Sequence, residues 1–249
     1  MNLIEPVIFK PHKDVEACFT EKNADISEKG AKVPGLNLGL NTEEDQTAVE
    51  ENVKKLFKHL DWDYRRLALA RQVHGNHVEI VKKPGIYENT DALVTNKPGL
   101  ILGIQVADCA AVLLAAPEYG IIGAAHAGWR GALAGIVAQT VSKMKKLGAR
   151  RDRMIAFISP CISLENFEVG TEVAEKFPDQ FVDYESYDKP HIDLKSYIRH
   201  RLLEEGLLGN HIEVSPYCTM NNSARFYSYR RERNSAGRML GLIKLRKKS

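Results

Sequence analysis

Three short segments of this chain combine metal-binding or nucleophilic side chains with neighbours that let the backbone turn sharply. In Ala124-Ala125-His126-Ala127-Gly128-Trp129-Arg130-Gly131, a histidine ends an apolar run where the chain must turn into a helix. Gly128 and Gly131 permit tight geometry there, and a helix start favours a nearby anion. Alone, His126 equally suits a hydrogen-bonded core histidine. Asp108-Cys109 sits between two apolar runs. A single cysteine of this kind behaves as a small packed hydrophobe, but an adjacent aspartate in apolar surroundings requires a partner: a histidine, an arginine or a substrate amine. The third segment is Arg71-Gln72-Val73-His74-Gly75-Asn76-His77-Val78. Its flanks read as strands, so His74 and His77 point opposite ways, and the glycine after His74 marks that histidine as the one able to approach a ligand.

Together the three segments point to a metal. One thiolate and two imidazoles suit zinc, and three protein ligands leave its fourth position open, as catalytic zinc sites require. His74 to Cys109 is 35 residues and Cys109 to His126 is 17, so no local finger is possible and the ligands must come from separate strand ends. Copper(II) competes for the same donors.

Composition sets the frame for that site. The chain has 249 residues, 44% apolar and 27% charged, and its 35 basic and 32 acidic residues leave a formal charge of +3. So small a bias gives no case for a nucleic acid polymer as partner. The basic tail Lys244, Arg246, Lys247, Lys248 reads as a solvated end. No secretory leader is evident, which makes a cytoplasmic enzyme the expectation. Gly99 to Pro117 is nearly apolar, but Gln105 and Asp108 interrupt it, and a central aspartate costs about 2.5 to 3.5 kcal/mol on membrane insertion. No membrane span is expected. Cys18, Cys109, Cys161 and Cys218 lie 91, 52 and 57 residues apart, which excludes a Cys-x-x-Cys motif, and disulfides are not expected.

The elements that must position the site read as runs of strands. Val7-Ile8-Phe9 and Val15 to Thr20 come first, followed by a helix with Val49, Val53, Leu56, Phe57 and Leu60 on one face and a cap signature in Thr42 and Asp45. Strands follow over Leu67 to Val73, His77 to Val81, Ala92 to Thr95, Leu100 to Val106, Ala111 to Ala115 and Ile121 to Ala125. A helix from Gly131 to Leu147, a strand at Met154 to Ile158 and a helix near Asp193 to Leu207 come next. Strands at Ile212 to Val214, Phe226 to Tyr229 and Met239 to Leu245 close the chain. Strands in runs, without one-for-one helices, predict an α+β fold in one domain, residues 1–249.

At these residues the chain resembles the YfiH/YlmD family, also labelled laccase-domain or multicopper polyphenol oxidoreductase proteins and regarded as purine nucleoside phosphorylases. The likeness runs from about Phe19 to Ile243. It is carried by Gly35-Leu36-Asn37-Leu38-Gly39, Gln72-Val73-His74-Gly75, Asp91-Ala92-Leu93-Val94-Thr95, Ala107-Asp108-Cys109 and His126-Ala127-Gly128-Trp129-Arg130-Gly131. Further landmarks are Ser159-Pro160-Cys161-Ile162, Phe167-Glu168-Val169-Gly170, Cys218-Thr219, and Phe226 to Arg231 with Gly237-Arg238. The resemblance implies an α/β/β/α layered fold akin to the catalytic domain of cytotoxic necrotizing factor, a Cys-His deamidase. By motif, zinc ligands fall on His74, Cys109 and His126. Implied activities are phosphorolysis of adenosine, inosine, guanosine and 5′-methylthioadenosine, and deamination of adenosine.

Cys109, His126 and Asp108 are then the catalytic candidates, Asp108 for proton transfer and for orienting a ligand. Arginine forks suit phosphate, making Arg71, Arg130, Arg230 and Arg238 candidates, while Phe226, Tyr227 or Tyr229 can stack on the base. Asn37, in the glycine-rich segment, is a further candidate substrate contact. The chain departs from the family at Phe19 to Ala24, where a Thr-Thr-Arg-Gly-Gly segment is usual, so a loop over the pocket is expected to differ. Phe167 stands where a tyrosine is common. Competing readings are a copper-dependent phenol oxidase, a metal-free Cys109–His126 hydrolase and a non-catalytic binding protein. The eight histidines include no His-x-His pair, which weighs against a multicopper centre.

Overall fold

Two central strands, β8 (Ala110–Ala116) and β9 (Ile121–Ala127), are buried at every position. Such strands are covered on both faces, which explains why the sequence shows continuous apolar runs there instead of alternation. The computed structural model describes residues 1–27 and 30–246; Lys247 and Lys248 of the basic tail lie outside the described residues. Lys244 and Arg246 both pair with Glu16, so that end is anchored to a neighbouring strand.

One six-stranded sheet contains, in spatial order, β1 (Leu3–Ile4), β2 (Val15–Thr20), β14 (Met239–Leu245), β7 (Ile101–Val106), β3 (Leu67–Ala70) and β5 (Gly85–Tyr87). The other contains β13 (Ile212–Val214), β10 (Ile155–Ile158), β8, β9, β6 (Ala92–Thr95) and β4 (Val78–Ile80). A small ribbon, β11 (Val182–Asp183) with β12 (His191–Ile192), lies apart. The sheets pack face to face: Leu102, Ile104, Met239 and Ile243 of the first share a core with Leu113, Ile122, Ala124 and Phe157 of the second. The sheets approach closely at Gly241, where a Cβ would stand 2.8 Å from that of Ala111. A truncation such as Leu113→Ala in this layer costs roughly 2–5 kcal/mol.

Helix α1 (Gln46–Leu60) covers the outer face of the first sheet through Leu56 and Phe57. Helices α3 (Ile136–Lys146) and α5 (Leu194–Glu204) cover the second through Val137, Val141, Met144, Ile198 and Leu202. The result is the expected α/β/β/α sandwich. Short helices α2 (Trp129–Leu133), α4 (Thr171–Ala174) and α6 (Tyr229–Glu232) complete it. No helix is long and apolar enough to cross a membrane among the described residues, and the apolar stretch 99–117 is spent on β7 and β8.

Several local expectations are corrected. Gly135, at φ +84, breaks the expected helix from Gly131 to Leu147 into α2 and α3. Asp45, not Thr42, caps α1, its carboxylate accepting the Thr47 N–H at 2.8 Å. Val7–Phe9 forms a 3₁₀ turn. Phe226 to Tyr229 is no strand: Phe226 and Tyr227 plug the core between the sheets, and Ser228 caps α6. Strand patterning cannot distinguish a core strand from an irregular segment whose aromatics are buried.

The connections matter more than the strands. The chain passes from one sheet to the other six times, and three of those crossings, between β3 and β4, between β7 and β8, and between β13 and β14, build the site. Those three crossings contain His74, then Asp108 and Cys109, then Tyr229, Arg230 and Arg238.

Candidate metal centre and its cavity

His126 lies near the end of β9 on the same side of the strand as Ile122 and Ala124, facing the other sheet. Cys109 follows the crossing from β7 and precedes β8, whose Ala111 pairs with His126 in the ladder. His74 comes from the crossing out of β3. One ligand atom from each of these three residues lies within 4.8 Å of the other two. The imidazole centroids are 4.7 Å apart and nearly perpendicular. Burial grades across the cluster, from buried His126 through Cys109 to exposed His74, so its open side faces a cavity of about 520 Å³. Gly128 makes the approach possible, since a Cβ there would sit 2.8 Å from Cys109 Sγ. His77 turns away to Glu79.

Asp91 is the residue that sequence reasoning missed. Its carboxylate is fully buried and accepts from His126 Nδ1 at 2.8 Å, leaving Nε2 to face Cys109. It also accepts the backbone N–H groups of Val73 at 3.2 Å, His74 at 2.9 Å and Gly75 at 2.8 Å. His74 needs that support because its φ is +62, an uncommon conformation for a side-chain-bearing residue. An aspartate placed directly before the apolar run Ala92-Leu93-Val94 was the available signal.

Asp108 meets neither a histidine nor an arginine side chain, two of the three partners expected for it. Its carboxylate accepts from the hydroxyl of Thr219 at 2.6 Å, the hydroxyl of Ser228 at 3.0 Å and the backbone N–H of Arg230 at 2.6 Å. It too has a positive φ, +78. Three of the six non-glycine residues with positive φ among the described residues, His74, Asp108 and Arg233, line this one cavity. Strained backbone of this kind persists where the surroundings over-determine it, and it clusters at functional sites.

Electrostatics couple Cys109 to His126. Burial pushes the Cys109 thiol up, but the charge of His126 and hydrogen bonds with both imidazoles outweigh it and bring the thiol down to about 6. His126 moves oppositely, burial pulling it down while the thiolate and Asp91 hold it up. The pair therefore favours thiolate and imidazolium in the protein without a bound cation. A cation at the same place meets one soft sulfur donor and two imidazole nitrogens, donors that zinc and copper both accept. The residues fit a metal of that class.

Of the other candidates, Arg130, Tyr229, Arg230 and Arg238 line the cavity, as do Trp129, Phe167, Gln72 and Gln105. Arg71 does not; it pairs with Glu88 at 3.4 Å. Phe226 and Tyr227 are fully buried and cannot stack on a ligand. Asn37 is also buried, its side-chain oxygen accepting the backbone N–H of Arg238 at 3.0 Å, so it braces a cavity residue from behind. The atypical segment 19–24 lies outside the lining, with Glu21 paired to Arg225, and forms no loop over the cavity. Cys18, Cys161 and Cys218 are buried free thiols.

The family model for multi-copper polyphenol oxidoreductase laccase proteins matches residues 16–246. A purine nucleoside phosphorylase of Deinococcus radiodurans is 39% identical over 243 residues, covering 96% of this chain and 93% of its own. An adenosine deaminase, RL5, from an unknown prokaryotic organism is 32% identical over 82% of this chain and 84% of its own. The crystal structure of YlmD from Geobacillus stearothermophilus superposes with a TM-score of 0.88 at 30% identity, covering 95% of this chain and 94% of that one.

Proposed function

Because the chain belongs to the multi-copper polyphenol oxidoreductase laccase family, we propose that it is a zinc-dependent purine nucleoside enzyme, acting as one catalytic domain over residues 1–249. Its reactions are phosphorolysis of adenosine, inosine, guanosine and 5′-methylthioadenosine to the free base and a ribose 1-phosphate, and deamination of adenosine. The observation that carries this reading is the convergence of His74, Cys109 and His126, from three separate segments, on the wall of a cavity of nucleoside size. The names of the relatives in Deinococcus radiodurans and of RL5 support the substrate class.

His74, Cys109 and His126 would hold the metal, which when bound supplies a Lewis acid of the kind that makes water a nucleophile near neutral pH. Asp91 keeps the Nδ1 proton on His126 and so presents Nε2 inward. Trp129, Phe167 and Tyr229 offer aromatic faces to a purine. Asp108, with its oxygens engaged by Thr219, Ser228 and Arg230, holds the start of α6 against the cavity and thereby places Tyr229 and Arg230. That positioning role replaces proton transfer as the reading of Asp108.

The family's label names a copper phenol oxidase instead. Several coppers need several ligand groups, and among the described residues the His74, Cys109 and His126 group is the one cluster of its kind. A single copper fits the same donors. Mass-spectrometric product profiling of metal-quantified protein, with and without phosphate, over the four nucleosides tests the proposal. Phosphate-dependent base release that vanishes together with zinc in Cys109→Ala is expected. Full turnover by a metal-free Cys109→Ala protein, or phenol oxidation without nucleoside turnover, overturns it.

A further inference from the structure

The arginines of this protein divide unevenly. Of fifteen, nine pair with an aspartate or glutamate. Of the remaining six, four line the one cavity beside the His74–Cys109–His126 cluster: Arg130, Arg230, Arg233 and Arg238. No carboxylate pairs with any of them among the described residues. Asp108 is the single acidic side chain in the lining, and its oxygens are occupied by two hydroxyls and a backbone N–H. Four guanidinium groups thus share the cavity with one carboxylate, whose acceptors are already in use, and with the Cys109 thiol, so positive charge outnumbers negative. Cations in excess in a partly enclosed cavity favour a ligand that brings negative charge.

Their depth differs. Arg238 is half-buried, its Nη1 donating to the carbonyls of Ala236 at 2.5 Å and Gly237 at 3.0 Å, with its stem against Gly39. Arg230 is half-buried as well, donating from Nη2 to the Glu168 carbonyl at 2.9 Å. Arg130 lies over the Trp129 ring at 4.2 Å and is exposed, as is Arg233. Each inner guanidinium has five N–H donors and spends only part of them on the protein. Backbone carbonyls fix each fork without neutralising it, which leaves a preorganised donor for a planar or tetrahedral oxyanion.

We infer that Arg230 and Arg238 form a phosphate subsite in this cavity, with Arg130 and Arg233 as an outer pair that draws the anion in. The use made of the phosphate rests on the phosphorolysis reading above; the subsite itself rests on charge and placement. In that reaction a phosphate oxygen forms a bond to C1′ and the bond from C1′ to purine N9 breaks. The electron pair leaves with the base, and the proton of hydrogen phosphate ends on the purine. Inner arginines beside the reacting sugar hold the oxyanion in place for attack. Asp108 and Asn37 set them from behind, through the backbone N–H groups of Arg230 and Arg238.

The test uses the full-length, zinc-loaded protein and inorganic phosphate as the probe. Calorimetric titration and the phosphate KM for inosine cleavage are measured for wild type, Arg230→Lys, Arg238→Lys and the double variant Arg130→Gln/Arg233→Gln. Loss of the fork weakens phosphate by about tenfold or more in either lysine variant, with a much smaller change in nucleoside KM. The outer double variant, exposed and therefore safe for folding, weakens phosphate by about two- to fivefold and flattens its salt dependence. Arg199→Gln, also without a carboxylate partner among the described residues but away from the cavity, leaves the phosphate KM unchanged. A phosphate KM within about twofold of wild type in both lysine variants and the outer double variant sinks the subsite. Phosphate binding that these variants abolish, in a protein that cleaves no nucleoside, sinks the phosphorolysis reading and leaves the subsite standing.

Discussion

Oδ1 of Asp91 lies 2.8 Å from Nδ1 of His126, and both side chains are buried. The same carboxylate accepts the backbone N–H of His74, so one acidic group orients the ring of one metal-ligand candidate and the main chain of another. Burial raises the Asp91 carboxyl, but the hydrogen bonds from His126, Gly75 and Val73 overcome it and hold it below the usual range.

Asp91→Asn replaces an acceptor that serves four donors with an amide that cannot serve them all. Zinc affinity falls by about 10- to 100-fold, as for other carboxylates hydrogen-bonded to metal-binding histidines. Leaving one buried N–H unpaired costs about 1–3 kcal/mol of stability. Chelator competition and thermal melting measure the two effects, and no change in either removes Asp91 from the site.

The lowered Cys109 thiol predicts a pH profile in protein stripped of metal. Because the shift is downward, the thiolate persists to lower pH: iodoacetamide labelling climbs through about pH 6 and is flat above it. An ordinary cysteine climbs near 8.5. Cys18 and Cys161, pushed up to about 12 by burial, stay unreactive. Removing the imidazolium in His126→Gln leaves burial in control and moves the Cys109 profile upward. Added zinc suppresses labelling. A profile centred near 8.5 in the wild type contradicts the thiolate–imidazolium pair.

Asp108→Asn leaves the thiol and both imidazoles untouched, so metal content holds at the wild-type level. It weakens the anchor of Arg230, and turnover slows with a raised phosphate KM. Metal analysis alongside steady-state kinetics checks this; wild-type kinetics exclude the positioning role.

Gly128→Ala places a methyl 2.8 Å from Cys109 Sγ and 3.3 Å from His74 Cδ2. Neither atom is the free end of a flexible chain, so the ligands are pushed apart. Zinc retention falls, while Gly128 lies at the edge of the two-sheet core and the strands keep the protein folded. Full zinc retention shows that the segment relaxes.

Much of this was legible from residue types. The unbroken apolar runs at 110–116 and 121–127 demand strands covered on both faces, and strands in runs with an amphipathic helix before and after them specify sheets between helices. One thiol and two imidazoles at long spacing specify a shared cation if they meet. Local chemistry cannot say that they do meet. That depends on where the chain crosses between two sheets after β3 and after β7, and on the register that sets His126 of β9 beside the start of β8, all long-range consequences of which strands pair. The same limit hid Asp91, whose partners lie 16 to 35 residues away, and misassigned Phe226, an aromatic whose burial follows from packing between layers. It also left the arginines unsorted. Charge is written in the sequence, but whether a guanidinium finds a carboxylate or faces an open cavity is decided by the tertiary structure alone.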